Sequence, residues 1–528
     1  MENQRNDLLD FRIVVLDGWR IICKQITQQL FATLFRNCNT TPPCTPHSTT
    51  PPYTPHSTTP PCTPHSTTLH STFNRSSLQA YRTSLQVYHS ASLNIMDSLP
   101  STPLYSYMYL ALVYIGLIIW LLMWLMHLIG QFSMYAPPPP PYLLPLYLFL
   151  TFISTIRKKN DSLPLRLDSH LDHLSVSGVT IIRPLRGLED NLEKCLTSSF
   201  TQSFSPIQIL FVVEDEKDPS IHVANSVSSK FPNIDSSVII AKRSSMNPKV
   251  SNMIAGFNNA KYDLVWVCDS NVITQPDFLS LAVSQFNANP SKIGAVHQMI
   301  WSTQFNSFGG LLESVFLNTT HARMYLALNN INVASCLMGK SNVYSISEIK
   351  KLGGIDSVAN YIAEDNVIGQ KFWNAGKRHR LTPRLATTSV NNLSLSDYCS
   401  RRIRWIRTRK FNVLSATLFE PFTECLLNGL FASFSLSYLF HPFNPYAFFF
   451  AHVFVWFALD LIFYSRQSHQ IPPNYLKDSF SFPQFLFGWL LRESLALPIW
   501  LVAIFGNSVV WRGCTYLLNS DGTINKFI

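Results

Sequence analysis

Four short stretches of this chain hold the residue types that group transfer from a charged donor requires. Val212-Val213-Glu214-Asp215 and Val267-Cys268-Asp269-Ser270-Asn271 each end an apolar, β-branched run in acids. Open parallel sheets bind ligands beyond the carboxyl ends of their strands, so Asp215 and Asp269 stand where a ligand would sit. Asp is also a common turn former, so neither residue is diagnostic alone. A third acid lies in Tyr361-Ile362-Ala363-Glu364-Asp365-Asn366, which opens the helical pattern 366–376. A carboxylate there can cap free N–H groups and still act as a base. The fourth stretch is Arg401-Arg402-Ile403-Arg404-Trp405. On a helix, positions 401, 404 and 405 share a face, and two guanidiniums with an indole suit a diphosphate or an amphiphilic head group. Read alone, it is equally a juxtamembrane basic segment held to anionic lipid. The four in this order are more specific than any one.

Composition indicates the setting. The chain has 528 residues, 47% hydrophobic and 14% charged, against roughly 25% charged in soluble domains. That excludes a disordered or purely soluble protein and points to a membrane. Lys+Arg 41 against Asp+Glu 31 gives a net charge of +10. Six of the ten residues from Arg401 to Lys410 are basic and none is acidic. So concentrated a patch argues for an anionic ligand or lipid surface and against a nucleic-acid partner. The cysteines number 10, with no C-x-x-C pair and no metal-like spacing, which implies a reduced cytosolic core.

The chain divides by character into 1–95, 96–177, 178–410 and 411–528. In the first part the unit TPPCTPHST, starting at Thr41, recurs as TPPYTPHST and TPPCTPHST. Proline and hydroxyl residues at this density cannot bury a core, so 1–95 reads as a disordered extension. Asn39 and Asn74 lie in glycosylation sequons, which admits a luminal tail, and Met96 admits a later start. Residues 107–129 are uncharged and long enough to cross a hydrocarbon core of about 30 Å. The run 142–156, broken by Pro145, reads as interfacial or re-entrant, and Arg157-Lys158-Lys159 places the next block of chain in the cytosol. Between 178 and 400, four β-branched runs (178–184, 208–214, 237–241, 263–268) alternate with helical stretches such as 188–200 and 250–260. That pattern implies a mainly parallel α/β sheet. Further membrane candidates are 422–440, 446–464 and 485–511, the last holding Arg492 and Glu493, which reads as an interfacial or cavity-lining pair.

Together these stretches resemble a known family, the ceramide glucosyltransferases (glucosylceramide synthases), among the inverting membrane-bound glycosyltransferases with a D, D, D, Q/RxxRW signature. The resemblance spans roughly residues 105–515. It includes Trp124-Leu125-Met126-His127, Arg183-Pro184-Leu185-Arg186-Gly187, Val213-Glu214-Asp215-Glu216-Lys217-Asp218-Pro219 and Asn247-Pro248-Lys249-Val250. Lys261-Tyr262-Asp263-Leu264-Val265-Trp266, Ala363-Glu364-Asp365, Arg492-Glu493-Ser494 and Trp511-Arg512 match as well. It implies an α/β domain of GT-A fold facing the cytosol, between an amino-terminal transmembrane helix and a carboxy-terminal helical membrane region, in the Golgi or ER membrane. It implies transfer of glucose from UDP-glucose to the primary hydroxyl of ceramide with inversion, the first step of glycosphingolipid synthesis. Asp215 would contact uridine, Asp269 would hold Mn²⁺ or Mg²⁺ on the diphosphate, and Asp365 would be the general base. Lys249, Arg401, Arg404 and Trp405 would bind substrate, and His321 falls where the family carries a histidine near the site.

The chain departs from the family's pattern in residues 1–95, in the proline-rich insert before Ser154, and in Asn271, where many relatives have a second acid. Two other functions fit the same motifs. One is a polysaccharide synthase or polyprenyl-phosphate sugar transferase, although three candidate spans after the catalytic block are few for a polymer channel. The other is a non-enzymatic membrane scaffold, which has no physical need for a cation site beside a base.

Overall fold

The computed structural model describes residues 103–133, 176–440, 442–471, 480–511 and 513–526. The repeats, both sequons, the 142–156 run and the 157–159 triplet lie outside the described residues. The chain divides into two units, Met1–Tyr114 and Ile115–Ile528. In the first, the described residues are the opening turns of helix α1 (Pro103–Gln131). Among the described residues three helices are long and apolar enough to cross a membrane: Tyr107–Gln131, Pro445–Ser468 and Phe482–Ile504.

The second unit is built on an eight-stranded sheet ordered β3-β2-β1-β4-β7-β6-β8-β5. Strands β1 (Val179–Pro184), β2 (Ile207–Val213), β3 (Asp235–Ile240) and β4 (Leu264–Cys268) are the four runs expected, each within two residues. These four pair in parallel. Their side chains alternate between two cores, with Ile209, Phe211 and Val213 on one face and Leu210 and Val212 on the other, as the two-residue strand period demands. Helices α2 (Leu192–Phe200), α3 (Ser220–Ser229) and α4 (Pro248–Asn258) make the crossovers, and α5 (Phe278–Ala288) comes after the two-residue β5 (Val272–Ile273).

The expectation of a mainly parallel sheet holds for this half and, in the other, for one pairing of strands. β7 (Ser341–Ser345) runs antiparallel to both β4 and β6 (Ile293–Thr303), and β5 runs antiparallel to β8 (Arg378–Ser389). The sheet is therefore mixed. β7 carries no apolar run (Ser341-Asn342-Val343-Tyr344-Ser345), so its pattern does not announce a strand.

Helix α6 (Phe308–Phe316) runs through a π-helical turn (Leu317–His321) into α7 (Ala322–Ile331). After α8 (Ile346–Lys351) come α9 (Glu364–Asn374) and α10 (Leu395–Asn412). A capping box starts α10: the Ser394 hydroxyl accepts from the Asp397 N–H and Asp397 accepts from the Ser394 N–H. A short helix α11 (Leu414–Phe419) leads to the membrane helices α12 (Cys425–Leu439), α13 (Pro445–Ser468) and α14 (Phe482–Ile504).

Two expected spans are corrected. The run 422–440 starts in a 3₁₀ turn, and α12 has 15 residues, too short to cross a bilayer upright. The run 485–511 ends as helix at Ile504, and Ser508–Trp511 is β9, in a three-stranded antiparallel sheet with β10 (Cys514–Leu518) and β11 (Ile524–Lys526). Arg492 and Glu493 face protein and each other. Arg492 pairs with Glu424 at 2.7 Å and with Glu493, and Glu493 accepts from the Leu426 N–H. Deeper in, Arg323 of α7 pairs with Asp460 of α13, which also accepts from Trp489 Nε1 at 2.8 Å. Paired charges of this kind stay buried because each has its counter-charge.

Gly309, in the first turn of α6, meets the chain entering α10 so closely that a Cβ would lie 2.1 Å from Ser394 O and 2.4 Å from Leu393 O. Both neighbours are backbone and cannot swing aside. Gly309→Ala is expected to cost about 1–3 kcal/mol by overpacking, read as a lower midpoint of thermal unfolding in detergent. An unchanged midpoint would show that this approach is not needed.

Candidate active site

Strand order creates the site. From β1 the chain steps to β2 and β3 on one side and returns to β4 on the other, so a crevice opens beyond the carboxyl ends of β1 and β4. Arg183, near the end of β1 and fully buried, organises that mouth. Its Nη1 donates to Asp269 O at 2.7 Å and Val272 O at 3.0 Å, Nη2 to Cys195 O at 2.6 Å, and Nε to Ser199 Oγ at 2.9 Å. The turn that carries Asp269 is thus clasped from beneath by a guanidinium.

Above this turn stands a chain of ion pairs. Lys249 Nζ lies 2.9 Å from Asp269 Oδ1 and 2.8 Å from Glu364 Oε1, and donates to Gly339 O at 2.6 Å. Asn247 sets the lysine in place: its Oδ1 caps α4 by accepting from the Lys249 N–H at 2.9 Å, with Pro248 in the first helical turn. The Asn247 amide also donates to Tyr361 O at 2.8 Å and Glu364 Oε2 at 3.3 Å, joining α4 to the segment before α9. The motif Asn247-Pro248-Lys249 is therefore a helix cap that delivers an ammonium. Lys340 Nζ reaches Asp269 Oδ2 at 3.4 Å and donates to Asn271 Oδ1 at 2.7 Å.

Asp365 follows Glu364 in the first turn of α9 and accepts from the backbone N–H groups of Asn366 and Gly339. A Cβ on Gly339 would lie 2.9 Å from Asp365 Oδ2, so only glycine lets the loop come this near. Burial, then the adjacent Glu364 charge, pushes the Asp365 carboxyl up to about 7. Glu364 itself is engaged by Lys249. Two neighbouring acids are thereby given different environments, one ion-paired and one about half protonated near pH 7.

The face expected on α10 is present. Arg401 pairs with the buried Glu313 of α6 at 2.8 Å and lies over the Trp405 ring at 4.9 Å. His321, on the π-helical turn, is 6.1 Å from Trp405 and stacks on Tyr325 at 5.7 Å. Burial, then Arg402, Arg409 and Arg401, holds it far below the usual imidazole range, at about 3, so it is neutral. Arg401 also acts electrostatically on Lys340, which links this face to the ion-pair chain. Arg404 lies on the same face, one turn after Arg401.

The rest of the basic patch is not a lipid-binding face. Arg402 and Arg409 pair with Glu420, at 3.7 and 2.6 Å. Arg407 donates to Ser508 O and Val502 O, and Lys410 to Ile504 O and Gly506 O. These carbonyls include the unpaired ones at the end of α14, so the patch caps a membrane helix. Asp215 stands apart from the ion-pair chain: it is exposed, and its Oδ1 accepts from the Lys217 N–H of its own turn at 2.9 Å.

Three residues of the cluster escape a reading of the sequence. Glu364 was visible only as the neighbour of Asp365. Glu313 is a lone acid in the apolar helix Phe-Gly-Gly-Leu-Leu-Glu-Ser-Val-Phe, a signal that a buried cation partner exists. Lys340 gives no local signal, because only an antiparallel β7 brings the residue before it to the ligand end of β4.

Among the described residues no three His, Cys, Asp or Glu side chains converge to cage a metal ion. Asp269 offers one carboxylate with an ammonium on each oxygen. That donor set fits a hard cation carried mainly by phosphate oxygens and water, and does not fit a resident ion.

Residues 146–524 match glycosyl transferase family 21. The chain is 34% identical to a protein of Komagataella phaffii named ceramide glucosyltransferase, over 66% of this chain and 83% of that one. It is 30% identical to the ceramide glucosyltransferase of Candida albicans (66% and 88%) and 29% to ceramide glucosyltransferase 1 of Caenorhabditis elegans (66% and 73%). Among solved structures, a mannosyltransferase of Pyrobaculum calidifontis in complex with GDP-Man and Mn²⁺ aligns at a TM-score of 0.42 and 13% identity, over 74% of this chain and 98% of that one.

The raised Asp365 carboxyl has a consequence for stability. Its folded value near 7 lies above the unfolded one near 4, so the folded chain holds a proton that the unfolded chain releases between them. This contribution to stability falls as pH rises through that window and is lost above it. Asp365→Asn, neutral throughout, is therefore expected to gain stability over the wild type as the buffer moves from about pH 5 to about pH 8. The difference in unfolding midpoint at the two pH values checks this, and a constant difference would deny the shift.

Proposed function

Because the chain belongs to glycosyl transferase family 21, we infer that it is a ceramide glucosyltransferase that takes its glucose from UDP-glucose. The observation that carries the mechanism is the arrangement around Lys249: its ammonium joins a strand-end carboxylate, Asp269, to Glu364, the neighbour of Asp365 in the first turn of α9. In this reading Asp365, ionised above its raised value, accepts the proton of the ceramide primary hydroxyl. The hydroxyl oxygen forms the bond to the anomeric carbon, the bond from that carbon to the UDP oxygen breaks, and its electron pair leaves with the diphosphate. A positioned base of this kind contributes about 10²–10⁴-fold. Glu364 is held by Lys249 and is not a nucleophile, which supports one displacement with inversion and a β-glucoside.

The leaving diphosphate gathers negative charge. In this reading Lys249, Arg401 and Arg404 would meet that charge, and Trp405 and the neutral His321 would form an apolar wall for the acceptor. Asp215 would contact the uridine. Mn²⁺ or Mg²⁺, where bound at Asp269, supplies further charge neutralisation to the leaving group. Ceramide does not leave the bilayer and UDP-glucose is a soluble anion, so the α/β domain, read as GT-A, is placed on the cytosolic face of a Golgi or ER membrane.

Purified protein in detergent and lipid, with Mn²⁺ or Mg²⁺ and labelled UDP-glucose, is to be offered ceramide, a polyprenyl phosphate or no acceptor. A ceramide-dependent monoglucosylated lipid is expected, and label in a polymer or prenyl lipid would deny the acceptor. Asp365→Asn is expected to abolish transfer and leave UDP affinity largely intact; parallel loss of UDP binding would remove the base assignment. The wild-type rate is expected to fall as pH drops through about 7. Trp405→Ala is expected to lower turnover far more than expression, and equal losses would make the indole a packing residue only.

A further inference from the structure

Among the described residues, Lys340 is the one ammonium of the cluster to which the proposed mechanism gives no role. It precedes β7, whose antiparallel pairing puts Ser341 opposite Cys268, and Asp269 N–H donates to Lys340 O at 2.9 Å. The side chain is thereby delivered to the mouth of the β1–β4 crevice, and about one-eighth of it (12%) is accessible. The two lysines are held differently. Lys249 has three short contacts to Asp269, Glu364 and Gly339 O, all under 3 Å. Lys340 has one short contact, to the neutral amide oxygen of Asn271 at 2.7 Å, and a longer one to Asp269 at 3.4 Å.

The cluster is neutral overall, two ammoniums against Asp269 and Glu364, and of the two ammoniums Lys249 holds Asp269 more closely, at 2.9 Å against 3.4 Å. An ammonium in that position can turn to a second anion without stranding a buried carboxylate, since Asp269 keeps Lys249. Arg401 acts electrostatically on Lys340 and adds positive potential to the cluster. Asn271 stands where a second acid would otherwise compete for the lysine, and its amide oxygen orients Nζ without neutralising it.

We propose that Lys340 binds the diphosphate of the sugar nucleotide, as a second ammonium beside Lys249, and that it lets this chain hold the nucleotide without a divalent cation. The proposal rests on the reading of UDP-glucose as donor. A charge-assisted hydrogen bond from lysine to phosphate is a compact point-charge contact, which arginine can replace in charge and methionine cannot.

Calorimetric titration of the purified full chain with UDP in EDTA tests this, with uridine binding read by ligand-observed NMR. The wild type is expected to bind UDP in EDTA, Lys340→Met to bind it about tenfold or more weakly, and Lys340→Arg to stay within about threefold, the range set by one charged hydrogen bond. Uridine, which lacks phosphate, is expected to bind wild type and Lys340→Met alike. Equal UDP affinities in EDTA, a wild type that needs a cation to bind UDP, or parallel loss of uridine would each overturn the assignment of Lys340. A wild type that binds neither uridine nor UDP, with or without Mn²⁺, would overturn the donor reading itself.

Discussion

The ammonium of Lys249 holds the site together. It stands within 3 Å of two carboxylates that belong to different elements, Asp269 after β4 and Glu364 at the start of α9. Without it, two anions would face each other in a poorly solvated crevice, where like charges repel strongly and neither has an alternative partner of the same strength. The lysine in turn depends on Asn247, which caps α4 beneath it and ties the same loop to residues 361–364. Because Glu364 is neutralised by this pair and Asp365 is not, adjacent acids acquire separate chemistry. Which of them is an ion-paired carboxylate and which is pushed toward protonation depends on which the ammonium reaches.

The parts of this arrangement that could be read in the sequence are those in which local pattern and final position agree. β1 to β4 are short β-branched runs ending in polar residues, and a parallel sheet puts their carboxyl ends at the ligand. Asp269 is visible for that reason, Asp365 as an acid opening a helical pattern, and the 401/404/405 face comes from helical spacing alone. Asp215 lies at a strand end as the pattern predicts, and its side chain accepts from the Lys217 N–H of its own loop. Lys340 and Glu313 were invisible as site residues because tertiary placement decides them. The direction of β7 depends on its partners β4 and β6, and its polar composition carries no periodic signal.

Charge density misleads in a similar way. Six basic residues in ten look like a surface for anionic lipid, but Arg402 and Arg409 pair with Glu420 and Arg401 with Glu313. Arg407 and Lys410 complete a helix end. Composition counts charges without their counter-charges, which here arrive from α6, from Glu420 and from backbone carbonyls. The acids and bases buried among the membrane helices obey the same rule: Arg492 with Glu424 and Glu493, and Arg323 with Asp460.

The cap that Arg407 and Lys410 place on α14 also sets a height. Four hydrogen bonds to carbonyls between Val502 and Ser508 fasten the helix that carries Arg401, Arg404 and Trp405 to the end of a candidate membrane span. A span adjusts its depth and tilt to the hydrocarbon thickness around it. Whatever displacement α14 undergoes is passed to the RxxRW face without a flexible linker to absorb it. The enzyme's reach toward a lipid hydroxyl is thus referenced to the bilayer, and membrane thickness becomes a variable of substrate alignment.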